Sequence, residues 1–188
     1  MKEHIEIEYK ILLSKETFHK IINDYQNQIT NHYIQTNYYL IHPLLQQKRY
    51  MLRIREKNNT YEMTLKRPFQ GHRLETNVMI TKEEKDAIIN HQMIDNEIID
   101  ILIQEHINPL ELQQQFSLTT HRYDIHLNEG ILSLDQNTYL NKRDYELEFE
   151  VYNEKEGYVK FLEIIKPYNL HYLHNCTSKI QRALQSLK

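Results

Sequence analysis

The chain has 188 residues, of which 40% are hydrophobic and 26% are charged, and its formal net charge is −3. These values are typical of one globular domain with a core, and they exclude a general attraction to nucleic acid polymers. No apolar run approaches ~18 residues, so we expect no membrane-spanning segment and no membrane partner. Because one cysteine, Cys176, cannot form an internal disulfide, we expect a cytoplasmic protein.

The first half of the chain alternates between strand and helix patterns. Ser14 is predicted to cap a helix that reaches about Tyr25, and Thr81 with Glu84 forms a capping-box signal. Asn58-Asn59 is predicted to form a hairpin turn with positive φ, and residues 68–71 a further turn. Period-two alternation predicts strands at about 3–13, 32–41, 50–57, 60–67 and 72–81, with an irregular stretch around Pro43.

The second half begins with helical patterns at about 82–90 and 95–105 and a short one after Pro109. Strands follow, and a helix predicted from Glu154 ends before Pro167. A last helix begins at about Thr177. The predicted strands lie at about 118–127, 131–136 and 143–152, which gives eight in the whole chain and an α+β class.

Most of these strands place apolar side chains on one face and ions on the other. In the first strand, Glu6, Glu8 and Lys10 share a face, opposite Ile7 and Tyr9. An open sheet with a solvated, salt-bridged face explains this periodicity. A closed barrel, with helices on its apolar outer faces and ions lining a wet tunnel, explains it equally well.

The mixture of charges indicates a ligand for such a tunnel. Arginine and lysine suit phosphate oxygens, and carboxylates suit Mg²⁺ or Mn²⁺. A phosphate chain with a divalent cation would satisfy both sets. The candidate cations are Lys10, Arg53, Arg55, Lys66, Arg73 and Arg122, and the candidate carboxylates are Glu6, Glu8, Glu146, Glu148 and Glu150.

The segment Glu6-Ile7-Glu8-Tyr9-Lys10 resembles the ExExK signature of the CYTH superfamily, the triphosphate tunnel metalloenzymes. The resemblance covers about residues 3–183 and is greatest to the small bacterial single-domain branch. Further segments resemble family motifs in the expected order: Gln35-Thr36-Asn37-Tyr38-Tyr39, Leu52-Arg53-Ile54-Arg55, Thr64-Leu65-Lys66, Arg122, Asp135, Glu146-Leu147-Glu148-Phe149-Glu150 and Ser178-Lys179.

The resemblance implies a single domain over residues 1–188, built as an eight-stranded antiparallel closed β-barrel that forms a tunnel, with helices packed outside. It implies Mg²⁺ or Mn²⁺ as the cofactor. The implied metal ligands are Glu6, Glu8, two of Glu146, Glu148 and Glu150, and Asp135 in an assisting role. The implied phosphate-binding residues are Lys10, Arg53, Arg55, Lys66, Arg122 and Lys179. Arg73 is added because the alternation of its predicted strand places it on the charged face.

The implied activity is metal-dependent hydrolysis of a phosphoanhydride in inorganic triphosphate or a short polyphosphate. Glu148 would orient or deprotonate water, and Lys10 would stabilise charge on the transferring phosphoryl group. Adenylyl cyclase chemistry, an organic triphosphate substrate and a non-catalytic regulator that binds polyphosphate or a nucleotide remain alternatives. The expected partner is a triphosphate-containing small molecule, and the oligomeric state is left open.

Overall fold

The computed structural model describes residues 2–187, with side chains from His4 onwards. Met1 and Lys188, the two ends of the predicted domain, lie outside the described residues. None of the described helices is long and apolar enough to cross a membrane.

Strands dominate the described part of the chain, and their recorded pairings are antiparallel. The strands are β1 (Lys2–Glu6), β2 (Glu8–Leu13), β3 (Asn31–Ile41), β4 (Met51–Lys57), β5 (Thr60–Phe69), β6 (His72–Ile80), β7 (Gln113–Leu127), β8 (Gly130–Tyr139) and β9 (Lys142–Val151). The predicted α+β class and antiparallel strand arrangement are confirmed.

The described residues include six α-helices, of which the first four lie between strands and the last two follow β9. They are α1 (Lys15–Tyr25), α2 (Pro43–Gln47), α3 (Lys82–Ile89), α4 (Glu97–Gln104), α5 (Glu154–Ile165) and α6 (Lys179–Gln185), with short 3₁₀ turns at Pro109–Glu111 and Lys166–Tyr168. The Ser14 side chain caps α1, and Thr81 and Glu84 form the predicted capping box of α3. The predicted end of α5 before Pro167 is also confirmed.

The chain divides into two compact units. The first unit comprises residues 2–6 and 35–118, and the second comprises residues 7–34 and 119–187. In the first unit, β6 pairs with β1 and β5, and β4 pairs with β5 and β3. In the second unit, β9 pairs with both β8 and β2.

Each unit has its own hydrophobic core, where helices cover the apolar strand faces. In the first unit, Ile88 of α3 and Ile98 and Leu102 of α4 pack in one cluster with the apolar residues of β4 and β5. In the second unit, Phe18 of α1 and Phe161 of α5 pack with the apolar residues of β2, β8 and β9. Burial of one such aliphatic or aromatic side chain stabilises the folded protein by about 1.5–3 kcal/mol. Helix packing therefore stabilises the arrangement in which the apolar strand faces point towards the helices.

The number of strands differs from the expected eight, because the predicted strand 3–13 divides at Ile7 into β1 and β2. The residues before Ile7 pair with β6, whereas those after it pair with β9. The Ile7 carbonyl already accepts a hydrogen bond from the Val151 amide, at 2.9 Å. The strand is therefore interrupted where its partner changes.

The turn predicted at residues 68–71 is shorter than expected, since β5 continues through Pro68 to Phe69. The pairing of β5 with β4 ends at Lys66, so Pro68, which has no amide hydrogen, costs no ladder hydrogen bond on that side. Gln70 and Gly71 then form the turn, both with positive φ. Asn58 and Asn59 also have positive φ, as predicted for their hairpin.

Three other boundaries differ from prediction. Pro43–Gln47, expected to be irregular, forms α2, because Pro43 suits a first helical position and the His42 ring accepts from the Leu44 amide. The strand expected at 118–127 begins at Gln113, and the one expected at 131–136 spans Gly130–Tyr139.

Close packing of α5 on β9 depends on Gly157, which is buried. A β-carbon at this position would lie 2.5 Å from both Cβ and Cγ1 of Val151. We expect Gly157→Ala to destabilise the protein by about 1–3 kcal/mol in urea unfolding, despite the better helix propensity of alanine. Val151→Gly, which removes the β-carbon as well, should cost less in the Gly157→Ala background than in the wild-type background. Simple additivity of the two changes would contradict the clash.

Candidate functional site

A first charged cluster lies in the first unit and consists of Glu6, Arg53, Lys66 and Glu75. The Lys66 ammonium contacts the Glu6 carboxylate and lies 2.6 Å from Oε2 of Glu75. Arg53 is farther away, with its Nη2 at 4.0 Å from Oε1 of Glu75. Strands β1, β4, β5 and β6 each contribute one member, so the antiparallel ladder of this unit assembles the cluster.

Neighbouring polar side chains hold the first charged cluster in place. Asn77 donates to Glu75 at 3.0 Å, and Thr64 donates to the Asn77 side-chain oxygen at 2.7 Å. Arg55 donates from Nε to Asn37 at 3.2 Å. The buried Nε of Arg53 has no hydrogen-bond partner among the described residues, so this guanidinium retains capacity for an acceptor.

Glu75 stays ionised in this cluster. Burial alone would raise its pKa, but Lys66 and Arg53 lower the pKa to about 2. Arg73, in contrast, is exposed and donates from Nη1 to the Arg49 carbonyl at 2.7 Å. Arg73 therefore contacts the backbone and not the carboxylates of the first charged cluster.

A second charged cluster lies in the second unit, with Lys179 at its centre. The Lys179 ammonium lies 2.9 Å from Asp135 and 3.1 Å from Glu146, and its third carboxylate partner is Glu148 at 2.5 Å. Arg122 binds Asp135 through Nε and Nη2, at 2.7 and 2.6 Å, and also contacts Glu148. The members of the second charged cluster are Glu8, Lys10, Arg122, Asp135, Glu146, Glu148 and Lys179.

Strand register places these groups together. Lys10 of β2 lies opposite Glu148 of β9, and Asp135 of β8 lies opposite Glu146. The Lys10 ammonium contacts the Glu8 carboxylate. Since successive side chains alternate faces, a slip of one residue in either pair would move these ions to the apolar face.

The two central glutamates differ in their electrostatic surroundings. Burial, together with the neighbouring Glu148 carboxylate, raises the pKa of Glu146 to about 8. Although Glu148 is also buried, Lys179 and Arg122 hold its pKa well below the usual range. Glu148 is therefore a carboxylate at neutral pH, whereas Glu146 retains a proton more readily.

The third glutamate of the row, Glu150, is exposed and lies opposite Glu8 in the register of β2 and β9. Glu146 is fully buried, and Glu148 shares the Lys179 ammonium with it. The structure therefore brings Glu146 and Glu148 together at one cation, but not Glu150. It separately pairs Glu8 with Lys10 and Glu6 with Lys66.

Sequence reasoning missed several polar residues beside the second charged cluster. Arg182 of α6 binds Asp144 and lies 2.5 Å from Oε2 of Glu146. Buried Asp124 accepts hydrogen bonds from Tyr33 and Ser133, at 2.9 and 2.8 Å. The spacing of Arg182, three residues after Lys179, was a usable signal because it places both side chains on one face of a helix.

Cys176 has no reactive character in these surroundings. Burial, with a smaller contribution from Glu146, raises the pKa of its thiol to about 12. A thiol is a weak nucleophile unless it is deprotonated.

A family model matches nearly the whole chain. A model of the CYTH domain matches residues 4–182. The chain belongs to the CYTH family. A Bacillus subtilis (strain 168) protein named "Putative triphosphatase YjbK" is 33% identical over 177 aligned positions, and the match covers 90% of this chain and 90% of that protein.

Solved structures extend the similarity to the fold. A Bacillus halodurans protein described as a "putative adenylate cyclase" is 36% identical, with a TM-score of 0.89, over 97% of this CYTH chain and 98% of that one. HpAC1 from Hippeastrum, described as having a dominant triphosphatase activity, is 18% identical and covers 96% of each chain, with a TM-score of 0.80. At that identity the likeness supports the fold alone.

The second charged cluster provides a test of the divalent metal that the family implies. Among the described residues, no group of three or more histidine, cysteine, aspartate or glutamate side chains is placed to hold a metal ion. Mg²⁺ is, however, commonly bound through one or two carboxylates, with substrate phosphates and water completing its coordination. Glu146 and Glu148 converge on Lys179 and offer oxygen donors, so they fit a cation shared with phosphate.

The lowered pKa of Glu75 predicts a pH-dependent contribution to stability. The folded-state pKa of about 2 lies below the ordinary value of 4.5, so the stabilisation is complete above about pH 4.5 and is lost as pH falls towards 2. We expect Glu75→Gln to lower the free energy of unfolding by about 1–3 kcal/mol at pH 7. The matched control is Glu83→Gln on the exposed side of α3.

Urea unfolding at pH 7 and at pH 3 measures this contribution. The difference between wild type and Glu75→Gln should shrink at pH 3, because Glu75 of the unfolded chain is protonated at that pH and must lose its proton on folding. A difference of equal size at both pH values would show that the ion pairs with Lys66 and Arg53 are not its source.

Proposed function

We propose that this CYTH protein is a metal-dependent hydrolase of triphosphate phosphoanhydrides, acting on inorganic triphosphate or short polyphosphate. The observation that carries the proposal is the second charged cluster, where Lys179 and Arg122 lie among three largely buried carboxylates. Purely structural buried ion pairs contribute little net stability, since apolar residues of similar volume often replace them without loss. A ligand that interacts with both the cations and the carboxylates would explain why these charges are buried together.

The relatives support the same reaction class. The Bacillus subtilis relative is named "Putative triphosphatase YjbK" and matches 90% of this chain at 33% identity. Most of the ionic residues of the resemblance lie in the two charged clusters, on strands and at the start of α6. The unpartnered Nε of the buried Arg53 gives independent support, because a phosphate oxygen is an acceptor that would satisfy it.

We assign the residues as follows. Lys10, Arg122 and Lys179 bind phosphate oxygens, and Arg53, Arg55, Lys66 and Arg73 are further phosphate-binding residues. Glu146 and Glu148 are the preferred metal ligands of their row, because Glu150 is exposed. The remaining candidate metal ligands are Glu6, Glu8, Asp135 and Glu150, and residues 1–188 are proposed to act as one domain.

The chemistry requires charge stabilisation more than covalent participation. Bound Mg²⁺ or Mn²⁺ would neutralise phosphate oxygens as a Lewis acid. Lys10 and Arg122 would stabilise the charge that develops as the phosphoanhydride breaks. Glu148, whose low pKa keeps it ionised, would orient the attacking water by accepting its hydrogen bond.

Phosphate release tests this function directly. The substrates are inorganic triphosphate, ATP and thiamine triphosphate, each with Mg²⁺, with Mn²⁺ and with EDTA. We expect release from inorganic triphosphate that EDTA abolishes. Absence of release from all three substrates would contradict the hydrolase.

A cyclase is the second candidate, because the similar Bacillus halodurans structure is described as a putative adenylate cyclase. The same ATP reactions distinguish the two functions. A cyclase releases pyrophosphate and forms cyclic AMP, whereas a hydrolase releases phosphate from the terminal anhydride. Binding of triphosphate without either product would favour a non-catalytic regulator.

Glu148→Gln tests the proposed role of the second charged cluster. It keeps the shape of the side chain but removes the charge that holds metal and water, so we expect kcat to fall by at least about 100-fold. Glu163→Gln, on the exposed side of α5, is the matched control and should retain wild-type turnover. Wild-type turnover in a folded Glu148→Gln variant would remove Glu148 from the mechanism.

A further inference from the structure

Arg182 makes more polar contacts than any role in simple surface packing requires. Its Nε and Nη2 donate to the two carboxylate oxygens of Asp144, at 2.8 and 3.2 Å. Its Nη2 also lies 2.5 Å from Oε2 of Glu146, and its Nη1 donates to the Thr177 carbonyl. One buried guanidinium therefore joins β9 to the start of α6.

Asp144 is a fixed anchor for this arginine. It accepts hydrogen bonds from the Tyr139 hydroxyl at 2.7 Å and from Asn137 Nδ2 at 3.0 Å. Asn137 is itself fully buried and accepts from Thr120 at 2.8 Å. A chain of hydrogen bonds thus runs from β7 through β8 and β9 to Arg182.

The helix that carries Lys179 is short and buries few side chains. Helix α6 spans only Lys179–Gln185, and its buried residues are Arg182 and Ala183. A helix of this length is not stable by itself in water. The position of the Lys179 ammonium among Asp135, Glu146 and Glu148 therefore depends on the contacts of Arg182.

We propose that Arg182, anchored by Asp144, is a positioning residue that fixes Lys179 and Glu146 for triphosphate hydrolysis. This inference rests on the proposed function, in which Lys179 binds phosphate and Glu146 binds metal. Arg182 acts through these two residues and need not touch substrate. The bidentate fork on Asp144 sets the orientation of α6, which a lysine at this position could not reproduce.

The experiment measures hydrolysis of inorganic triphosphate with Mg²⁺ and with Mn²⁺ for single and double variants. Since a displacement of about 1 Å can cost about 100-fold in rate, we expect Arg182→Met to lower kcat/KM by about 10- to 100-fold, with a clear rise in KM. Arg182→Lys should recover only part of this loss. Arg143→Met, which removes an exposed arginine next to Asp144, is the matched control and should stay within about twofold of wild type.

A double-mutant cycle separates positioning from a merely structural role. Because Arg182 acts in part through Lys179, the loss of activity caused by Arg182→Met should be much smaller in the Lys179→Met background than in the wild-type background. Multiplicative losses of activity in the double variant would overturn the proposal, as would unchanged kinetics in Arg182→Met.

Asp144→Asn provides a second route if Arg182→Met fails to fold. It keeps Arg182 but weakens the anchor, so the loss of activity that it causes should also be much smaller in the Lys179→Met background. Multiplicative losses in that pair would likewise overturn the proposal. A wild-type protein that releases no phosphate would refute the proposed function itself, together with this role for Arg182.

Discussion

The Lys179 ammonium, largely withdrawn from water, lies among the carboxylates of Asp135, Glu146 and Glu148. Removing an ion from water costs several kcal/mol, and this cost is offset only when oppositely charged partners are close and well oriented. The arrangement of the second unit meets that condition. Strands β8 and β9 supply the carboxylates in matching register, and α6 supplies the lysine.

The same strands bury apolar side chains on their other face. In β9, Leu147 and Phe149 are fully buried in the core against α1 and α5, while Glu146 is fully buried on the charged face. A strand with two buried faces of opposite character tolerates no change of register. The ions of each charged cluster are held in position before any ligand arrives, which is the condition under which electrostatic groups are effective in catalysis.

Much of this could be predicted from the sequence. Alternation in 143–152 predicted β9 and its charged face, and Asn58-Asn59 predicted a hairpin turn that the positive φ angles confirm. Local sequence patterns gave the wrong strand boundaries where pairing with a distant strand sets the boundary. The interruption at Ile7 follows from a change of strand partner, and Pro68 is tolerated in β5 only because its neighbour β4 has ended.

The charged clusters were predictable as rows of residues but not as contacts. The alternation of side chains along a strand placed Glu146, Glu148 and Glu150 on one face. Only the structure shows that Glu146 and Glu148 both contact Lys179, while Glu150 is exposed. The alternation likewise could not show that Arg73 contacts the Arg49 carbonyl. The anchoring of Arg182 on Asp144 joins residues far apart in sequence, and no local pattern signals such a pair.

We propose that the buried ions of the second charged cluster bind a triphosphate together with a divalent cation. Calorimetric titration with imidotriphosphate, whose nitrogen bridges resist hydrolysis, tests it most directly. We expect saturable one-to-one binding in Mn²⁺ that weakens when EDTA removes the cation and weakens further at high salt. No binding under any of these conditions would contradict the claim and leave the charged clusters as structural ion pairs.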